Sequence, residues 1–465
     1  MRALDIKLMR DLLRLWPQVL AIALVMAAGV ATLILGVGAY DSLSTTRAKY
    51  YETNRFADVF ASLTRAPNAL KAQIAAIDGV SAAETRIEEI ALADMPGMAE
   101  PASVLLVSLP DYRAAVLNQI YLRSGRMPEP EAGEAVASVG FARAHGLREG
   151  STIRVLINGR QRDVRISGTA LSPEFVYALG PGALMPDERR FGILWTPEKV
   201  LPPAYDLDGA FNSVSLKLVK GVNADSVIAA LDRLLDRYGG RGAYTRKDQQ
   251  SHAFLDAELH QLRAMSRILP PIFLLVSAFL VNMTLSRLIA LEREQIGLLK
   301  AMGYSSWAVV RHYAGFVTLI AILGIAIGLI AGTWLGVGMT RLYAKFFSFP
   351  FLVFSRNPAV YGVAAGATYL AAILGAVKAV RAVAWLSPAV AMSPPAPQRY
   401  RKLFAGRLEL ARFVRQSSVI VMRHLTHWPM RTLSGVLGMA LSVAILVGSL
   451  WSFGSIEHMV DVTFH

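Results

Sequence analysis

The sequence predicts an α-helical membrane protein with five transmembrane helices and one large extracytoplasmic domain of mixed α/β structure. Three observations lead to this prediction. Of the 465 residues, 54% are hydrophobic and only 18% are charged, and the mean hydropathy of +0.41 is higher than soluble globular proteins usually show. The hydrophobic residues are concentrated in long uncharged runs. The rest of the chain divides into a long segment with no net charge and several segments with an excess of basic residues. This composition argues against a soluble enzyme.

Five runs contain no Asp, Glu, Lys or Arg and are long enough to cross a membrane. A helix needs about 20 residues to cross a hydrocarbon layer roughly 30 Å thick. We predict transmembrane helices at 18–40, 268–286, 312–340, 357–377 and 432–456. The first run is too long for the apolar part of a cleavable signal peptide, and no clear small-residue cleavage site ends it. We therefore expect it to remain as a membrane anchor.

The distribution of charge predicts the orientation of these helices. Residues 41–267 contain 27 basic and 27 acidic residues, so the net charge of +14 comes from the rest of the chain. If 1–17 is cytoplasmic, then 287–311 and 378–431 are cytoplasmic too. These three segments contain 4, 4 and 10 Lys and Arg residues, against 3 in the outer loop 341–356. This asymmetry follows the positive-inside rule and predicts a multi-pass protein of the bacterial inner (plasma) membrane with a cytoplasmic N-terminus.

The sequence also argues against several other functions. Positive charge that is spread along membrane edges does not form a surface for nucleic acid, so we expect no nucleic-acid partner. The absence of Cys excludes disulfides, thiolate zinc sites and iron-sulfur clusters. The chain has no G-x-x-x-x-G-K-[ST], G-x-S-x-G or H-E-x-x-H motif, and we predict no catalytic residue, metal or cofactor in it. The pairs His424 with His427 and Asp206 with Asp208 fit interfacial and loop positions better than metal sites.

The exported segment 41–267 is expected to be a mixed α/β domain. Alternating or β-branched stretches predict strands at 102–108, 134–139, 152–157, 163–166 and 213–218, and helices at 67–77 and 224–238. Asn158-Gly159 lies between two strand patterns and predicts a hairpin, because a type I′ turn needs positive φ at both central residues. Leucines at helical spacing from Leu255 to Leu269 predict a stalk helix that continues into the second span.

Two features of the spans concern how helices pack. Four glycines fall four residues apart in the third span and line one helix face, where a neighbouring backbone can approach closely: Gly324, Gly328, Gly332 and Gly336. The alternative is that glycine is simply frequent in membrane helices. Asn282 is the main polar residue of the spans, and we expect it to form a hydrogen bond between helices. The uncharged spans provide no path for ions or protons.

A short internal repeat predicts a duplicated unit. Residues 10–17 lead into the first span, residues 423–429 lead into the fifth, and the two segments share Arg, Leu and a Trp-Pro pair. The repeated unit would be one span, an exported domain and three further spans. The fifth span would then begin a second unit with 457–465 outside, and the chain is either a fragment or lacks its second half. Chance similarity is the alternative, since Trp, Pro and Arg gather at membrane interfaces.

The segment between the second and third spans, residues 287–311, is the most informative part of the chain, and we call it the coupling segment. It contains a short amphipathic helix in which Leu291, Ile296, Leu299 and Met302 lie among charged residues, with Gly303 as a left-handed cap. A helix that rests idle on lipid would be dominated by Lys and Arg, whereas acidic and basic residues are balanced here. A short, rigid helix tied to two spans can bind in a groove of a cytoplasmic partner and transmit its movement.

These residues resemble a known family. The stretch Glu292-Arg-Glu-Gln-Ile-Gly-Leu-Leu-Lys-Ala-Met-Gly303 is similar to the E-R-x-x-E-I-G-x-L-[KR]-A-x-G signature of FtsX-like, MacB-type (type VII) ABC transporter permeases. Residues 380–391, which include Arg381 and Pro388, resemble the family's R-x-A-x-x-x-x-P-x-x-A-L ending. The order of one span, exported domain and three spans also agrees, and the exported domain resembles the MacB-like periplasmic core. One departure is Arg311-His-Tyr at the start of the third span, where the family often has a Glu.

The resemblance implies a separate ABC ATPase subunit that binds ATP and Mg and moves the coupling segment. It assigns that coupling to seven residues: Glu292, Arg293, Glu294, Ile296, Gly297, Lys300 and Gly303. It implies mechanotransmission to the exported domain, for export or extraction of a lipid, lipoprotein, peptide or drug. Membrane lipids and a periplasmic adaptor or second permease half are the other implied partners.

Two other classes of function remain open. A membrane receptor or assembly scaffold would sense a ligand with its exported domain and would have signalling domains after the last span, or no ATPase partner. A membrane-bound hydrolase would need a catalytic set outside the bilayer, and the exported residues show none with recognisable spacing.

Overall fold

The computed structural model describes residues 3–183, 185–352, 354–385 and 387–392, together with isolated positions between 432 and 451. Within these residues the helices are α1 (Ala3–Arg14), α2 (Trp16–Thr53), α3 (Leu70–Ala75), α4 (Val139–Ala144), α5 (Ala224–Leu235), α6 (Gln250–Leu291), α7 (Arg293–Ala301), α8 (Ser306–Phe346), α9 (Pro358–Trp385) and α10 (Pro388–Met392). The strands are β1 (Val59–Pro67), β2 (Val80–Arg86), β3 (Glu88–Asp94), β4 (Ala102–Leu109), β5 (Tyr121–Gly125), β6 (Glu134–Ser138), β7 (Thr152–Ile157), β8 (Arg160–Leu171), β9 (Phe191–Pro197), β10 (Ala210–Leu218) and β11 (Ala243–Thr245).

The chain forms two compact units. The helical unit comprises the described parts of Met1–Leu35, Met265–Leu335 and Arg356–His465, and the sheet unit comprises Gly36–Ala264 and Gly336–Ser355. In the described residues, α2, α6, α8 and α9 are long and apolar enough to cross a membrane. The predicted fifth span, 432–456, lies outside the described residues except at isolated positions, as do most of 378–431 and all of 457–465.

The helices extend beyond the uncharged runs that predicted them. Helix α2 has 38 residues, α6 has 42 and α8 has 41. The predicted stalk helix is confirmed as the first part of α6, where Leu255, Leu259 and Leu262 are buried. Pro270 and Pro271 lie inside α6 and do not end it. Hydropathy detects only the apolar part of such helices. Their polar turns have no hydropathy signal, although they continue the same backbone hydrogen bonding.

The sheet unit contains two β-sheets. A four-stranded sheet has the order β11-β1-β10-β2, and its core includes apolar residues of α3 and α5. A seven-stranded sheet has the order β5-β8-β6-β9-β4-β3-β7. Because β7 pairs with both β3 and β8, six of these strands form a closed ring. Small and branched side chains from alternate positions, such as Ala91, Val104 and Val155, fill its interior.

All five predicted strands and both predicted helices of this unit are confirmed, with shifted ends. The predicted strand 163–166 is the middle of the longer β8, and the predicted helix 67–77 is shortened to α3. The predicted hairpin is confirmed: Ile157 pairs with Arg160, and Asn158 and Gly159 have φ of 44° and 76°. These values are those of a type I′ turn.

The hairpin turn provides a test of local strain. A Gly159→Val variant should lose roughly 1–2 kcal/mol of unfolding free energy, because a branched side chain disfavours positive φ. No atom would contact a Cβ at this position, so strain and not crowding causes the loss. Thermal unfolding of the purified chain measures it. The matched Gly159→Asn variant should lose only a few tenths of a kcal/mol, since Asn tolerates this conformation, and equal losses in both variants would contradict the explanation.

Candidate coupling segment and its contacts

The coupling segment begins at a one-residue interruption between two helices. Helix α6 ends at Leu291, α7 begins at Arg293, and Glu292 between them has φ −97° and ψ 15°, outside the α-helical range. Helix α7 ends with the predicted left-handed glycine, since Gly303 has φ +93°. Its amide donates to the Lys300 carbonyl, and the next amide, of Tyr304, donates to the Leu299 carbonyl, both at 3.1 Å. This pair of hydrogen bonds is a Schellman motif and fixes the end of the short helix.

The Glu292 side chain points into the helical unit. Its Oε2 accepts hydrogen bonds from Lys7 Nζ at 2.7 Å and from the Tyr313 hydroxyl at 2.9 Å. Lys7 Nζ also donates to Asp11 Oδ2 at 2.6 Å, and His312 Nε2 lies 3.5 Å from the same oxygen. The Glu292 side chain is 7% exposed. Residues of α1, α8 and the α6–α7 junction therefore form one buried polar network.

Two basic residues of α7 bind the other stretch that resembles the family. Arg293 Nη2 donates to the Val390 carbonyl of α10 at 2.5 Å. Lys300 Nζ donates to the carbonyls of Val383 at 2.7 Å and Ala384 at 3.3 Å, in the last turn of α9. A cation at this end of a helix binds carbonyls that have no partner within the helix. Burial lowers the pKa of Lys300 from its ordinary value. The structure thus brings residues 292–303 and 380–391 together.

The remaining residues of the coupling segment divide into a buried and an exposed face. Ile296 and Gly297 are buried against the helical unit. Glu294 is exposed, and three large apolar side chains on or beside α7 are mostly exposed: Leu298 (55%), Met302 (61%) and Trp307 (73%). Leu291, at the end of α6, is also exposed. An exposed apolar surface of this kind is typical of a face that binds another protein or the membrane.

Three of the four predicted packing glycines lie against α2. A Cβ on Gly324 would be 2.8 Å from Met26 Cβ, one on Gly328 2.6 Å from Val30 Cβ, and one on Gly332 2.9 Å from Ala31 Cα. The fourth, Gly336, belongs to the sheet unit and lies against the Phe354 ring. Asn282 Oδ1 is buried without a hydrogen-bond partner among the described residues.

Sequence reasoning missed the residues that hold Glu292. Lys7 and Asp11 lie one turn apart on α1. The sequence identifies them only as charged residues near the N-terminus, and nothing in it links them to position 292. Tyr313 follows the Arg311-His pair at which the family pattern changes, and that departure was the only available signal. In the described residues, no group of three or more His, Asp or Glu side chains could hold a metal ion, and His424 and His427 lie outside those residues.

Comparison with known proteins gives two matching family models. Residues 19–234 match the MacB-like periplasmic core domain, and residues 267–388 match the FtsX-like permease C-terminal domain. No curated relative of the chain was found. The second match ends at Pro388 and contains the whole coupling segment.

The chain is also similar to three solved structures. The periplasmic region of MacB from Actinobacillus actinomycetemcomitans has 10% identity and a TM-score of 0.28, covering 46% of this chain and 97% of that one. The extracellular domain of the noncanonic ABC-type transporter YknZ from Gram-positive bacteria has 11% identity and a TM-score of 0.26, covering 41% and 98%. A domain of a putative permease protein from Porphyromonas gingivalis has 14% identity and a TM-score of 0.28, covering 41% and 89%. The two family models, together with the apolar helices, show that this multi-pass membrane protein belongs to the FtsX-like, MacB-type family of ABC transporter permeases.

Proposed function

We propose that the chain is the permease subunit of an ABC transporter in the bacterial inner membrane, with its N-terminus in the cytoplasm. A separate nucleotide-binding subunit binds ATP and Mg, hydrolyses the ATP and pushes on the coupling segment. The resulting movement of the membrane helices reaches the extracytoplasmic domain, which exports or extracts a lipid, lipoprotein, peptide or drug. Mechanical transmission of this kind requires no polar path through the membrane.

The observation that best supports this proposal is that α7 is attached on one side and exposed on the other. Through Glu292, Arg293 and Lys300 the segment is bound to α1, α8, α9 and α10. Its other side exposes Glu294, Leu298 and Met302. A partner that binds the exposed side can therefore move several helices at once, because packed helices respond as units. Helices α2, α6 and α8 each contain residues of both units.

Co-purification tests the proposal. The tagged chain, isolated from membranes of its own host, should recover an ATPase that has a G-x-x-x-x-G-K-[ST] motif. A Leu298→Asp/Met302→Asp variant should recover at least about tenfold less of it, since apolar side chains at the centre of an interface dominate binding. A Glu294→Lys variant should also recover less. The matched control is Tyr112→Asp, which changes an 80% exposed aromatic residue of the sheet unit. Unchanged recovery by the two α7 variants would refute the coupling role.

A further inference from the structure

We propose that the N-terminal helix α1 positions the coupling segment, and that Glu292 is held internally by Lys7 and Tyr313 and is not a contact for the ATPase. The inference rests on the proposed function, because it describes how α7 is oriented for its partner. Glu292 matches the first acidic residue of the family signature over 292–303. That position alone would suggest that it faces the ATPase. The contacts of its side chain give it a different role.

The geometry leaves the Glu292 carboxylate little capacity for an outside partner. Oε2 already accepts two hydrogen bonds, one from Lys7 Nζ and one from the Tyr313 hydroxyl. The side chain is 7% exposed, whereas Glu294, two residues further on, is exposed. A buried carboxylate requires such partners, because burial of an unpaired charge is unfavourable. The two glutamates of the motif therefore have different environments, one inside the helical unit and one on the surface.

The position of Glu292 in the backbone makes these contacts directional. It is the single residue between α6 and α7, and its φ and ψ are not helical. Backbone hydrogen bonding continues around it, since its amide donates to the Leu288 carbonyl and its carbonyl accepts from the Ile296 amide, both at 2.9 Å. Contacts that fix this residue therefore fix the direction in which α7 leaves α6. Such interruptions between helices are where hinge motions occur.

Helix α1 is itself fixed, so it can act as the reference for α7. Leu8 and Leu12 of α1, together with Leu15 directly after it, pack against the core of the helical unit. Lys7 and Asp11 lie one turn apart on α1, and Lys7 binds both acidic side chains. His312 Nε2 faces Asp11 from α8. The network therefore has one lysine between two carboxylates, with a histidine and a tyrosine from α8 beside them. Loss of Lys7 would leave two buried carboxylates without their common partner.

The test combines amide hydrogen exchange with ATPase assays on the full-length chain. Lys7→Gln and Glu292→Gln should each raise the exchange rate of residues 293–301 by about tenfold, because α7 loses an attachment and opens more often. Both variants should still recover the ATPase, because the exposed face of α7 is unchanged. Permease-stimulated ATP hydrolysis should fall about fivefold in each, since the bound segment is no longer held in one orientation. Tyr313→Phe removes one hydrogen bond and should give smaller changes in the same direction.

Charge exchange distinguishes positioning from a general effect on stability. The double variant Lys7→Glu/Glu292→Lys again pairs opposite charges at positions 7 and 292, and it should restore at least half of the protection and of the ATP hydrolysis. Arg10→Gln, which removes a charge from the exposed face of α1, is the control and should change neither. Unchanged exchange over 293–301 in both single variants, or no recovery in the double variant, would overturn the proposal. If the unaltered chain recovers no ATPase, the proposed function fails, and the exchange measurement still decides whether α1 positions α7.

Discussion

A Gly328→Leu variant is expected to give little or no folded protein. Helix α8 approaches α2 so closely at this position that a Cβ would lie 2.6 Å from Val30 Cβ and 2.8 Å from the Ala27 carbonyl oxygen. Neither atom can move aside, because one is the branch point of a buried side chain and the other is backbone. Overpacking of a core usually costs about 1–3 kcal/mol. We expect Gly328→Ala to lose this amount of unfolding free energy, and we expect Gly328→Leu to force α8 away from α2.

The matched control lies on the same helix. Gly338 is exposed, and apart from the adjacent backbone of α8 no heavy atom of the described residues lies within 4 Å of the position that its Cβ would occupy. Gly338→Leu should therefore keep or slightly raise stability, since leucine favours the helical backbone by roughly 0.5–1 kcal/mol over glycine. Yield and the thermal midpoint of the detergent-solubilised chain measure both variants. Equal behaviour of the two leucine variants would show that close approach at Gly328 is not required.

Local patterns in the sequence predicted those elements whose chemistry is local. The Asn158-Gly159 turn and the Gly303 cap both depend on positive φ within one turn, so neighbouring residues are sufficient to identify them. Strand β3 was missed because its pattern is reversed: the small Ala91 and Ala93 face the interior of the ring, while Ile90 is 54% exposed. A narrow ring favours small residues inside, and a hydrophobicity pattern interprets the larger side chain as the buried one.

The environment of the coupling segment was predictable only in part. Its helix, its cap and its alternation of charged and apolar residues could be read from residues 287–311. The partner of Glu292 could not, because Lys7 lies 285 positions away in the chain. Polar side chains that meet in the folded protein leave no periodic signal in a single sequence. The exposure of Leu298 and the burial of Ile296 also depend on which side of α7 faces the other helices.

Removal of Arg86 from its buried ion pair with Glu174 in the sheet unit should also cause a large loss of unfolding free energy. Arg86 Nη1 donates to Glu174 Oε2 at 2.6 Å, its Nη2 donates to the other carboxylate oxygen, and Glu88 Oε1 lies 2.5 Å from the same nitrogen. The Arg86 and Glu174 side chains are 11% and 5% exposed. Arg86→Met leaves a buried carboxylate without a partner, and removal of one member of such a pair costs about 3–5 kcal/mol. Chemical or thermal unfolding of the purified chain measures this loss.

Two further variants separate the charge from the packing. Arg86→Met/Glu174→Gln removes both charges and should recover most of the lost stability, because the remaining amide needs only hydrogen bonds. Arg143→Met breaks an exposed ion pair with Glu188. The Arg143 side chain is 64% exposed and the Glu188 side chain 35% exposed, so the loss of unfolding free energy should be less than about 1 kcal/mol. If Arg86→Met loses no more unfolding free energy than Arg143→Met, the Arg86–Glu174 pair stabilises the protein no more than an exposed ion pair does.

The dependence on pH should identify Glu174 as the source of the loss. Burial raises the pKa of Glu174 above its ordinary value, and the charge of Arg86 opposes that rise. Without Arg86 the pKa in the folded protein should rise further, so the folded state of Arg86→Met binds a proton more tightly than the unfolded chain. A group whose pKa is raised on folding stabilises the protein below its unfolded pKa, and this contribution disappears as the pH rises through the folded pKa. Arg86→Met should therefore be destabilised more at about pH 8 than at about pH 5. In Arg86→Met/Glu174→Gln this difference should vanish, because the amide does not titrate, and a loss in Arg86→Met that is independent of pH would assign the effect to packing of the arginine side chain.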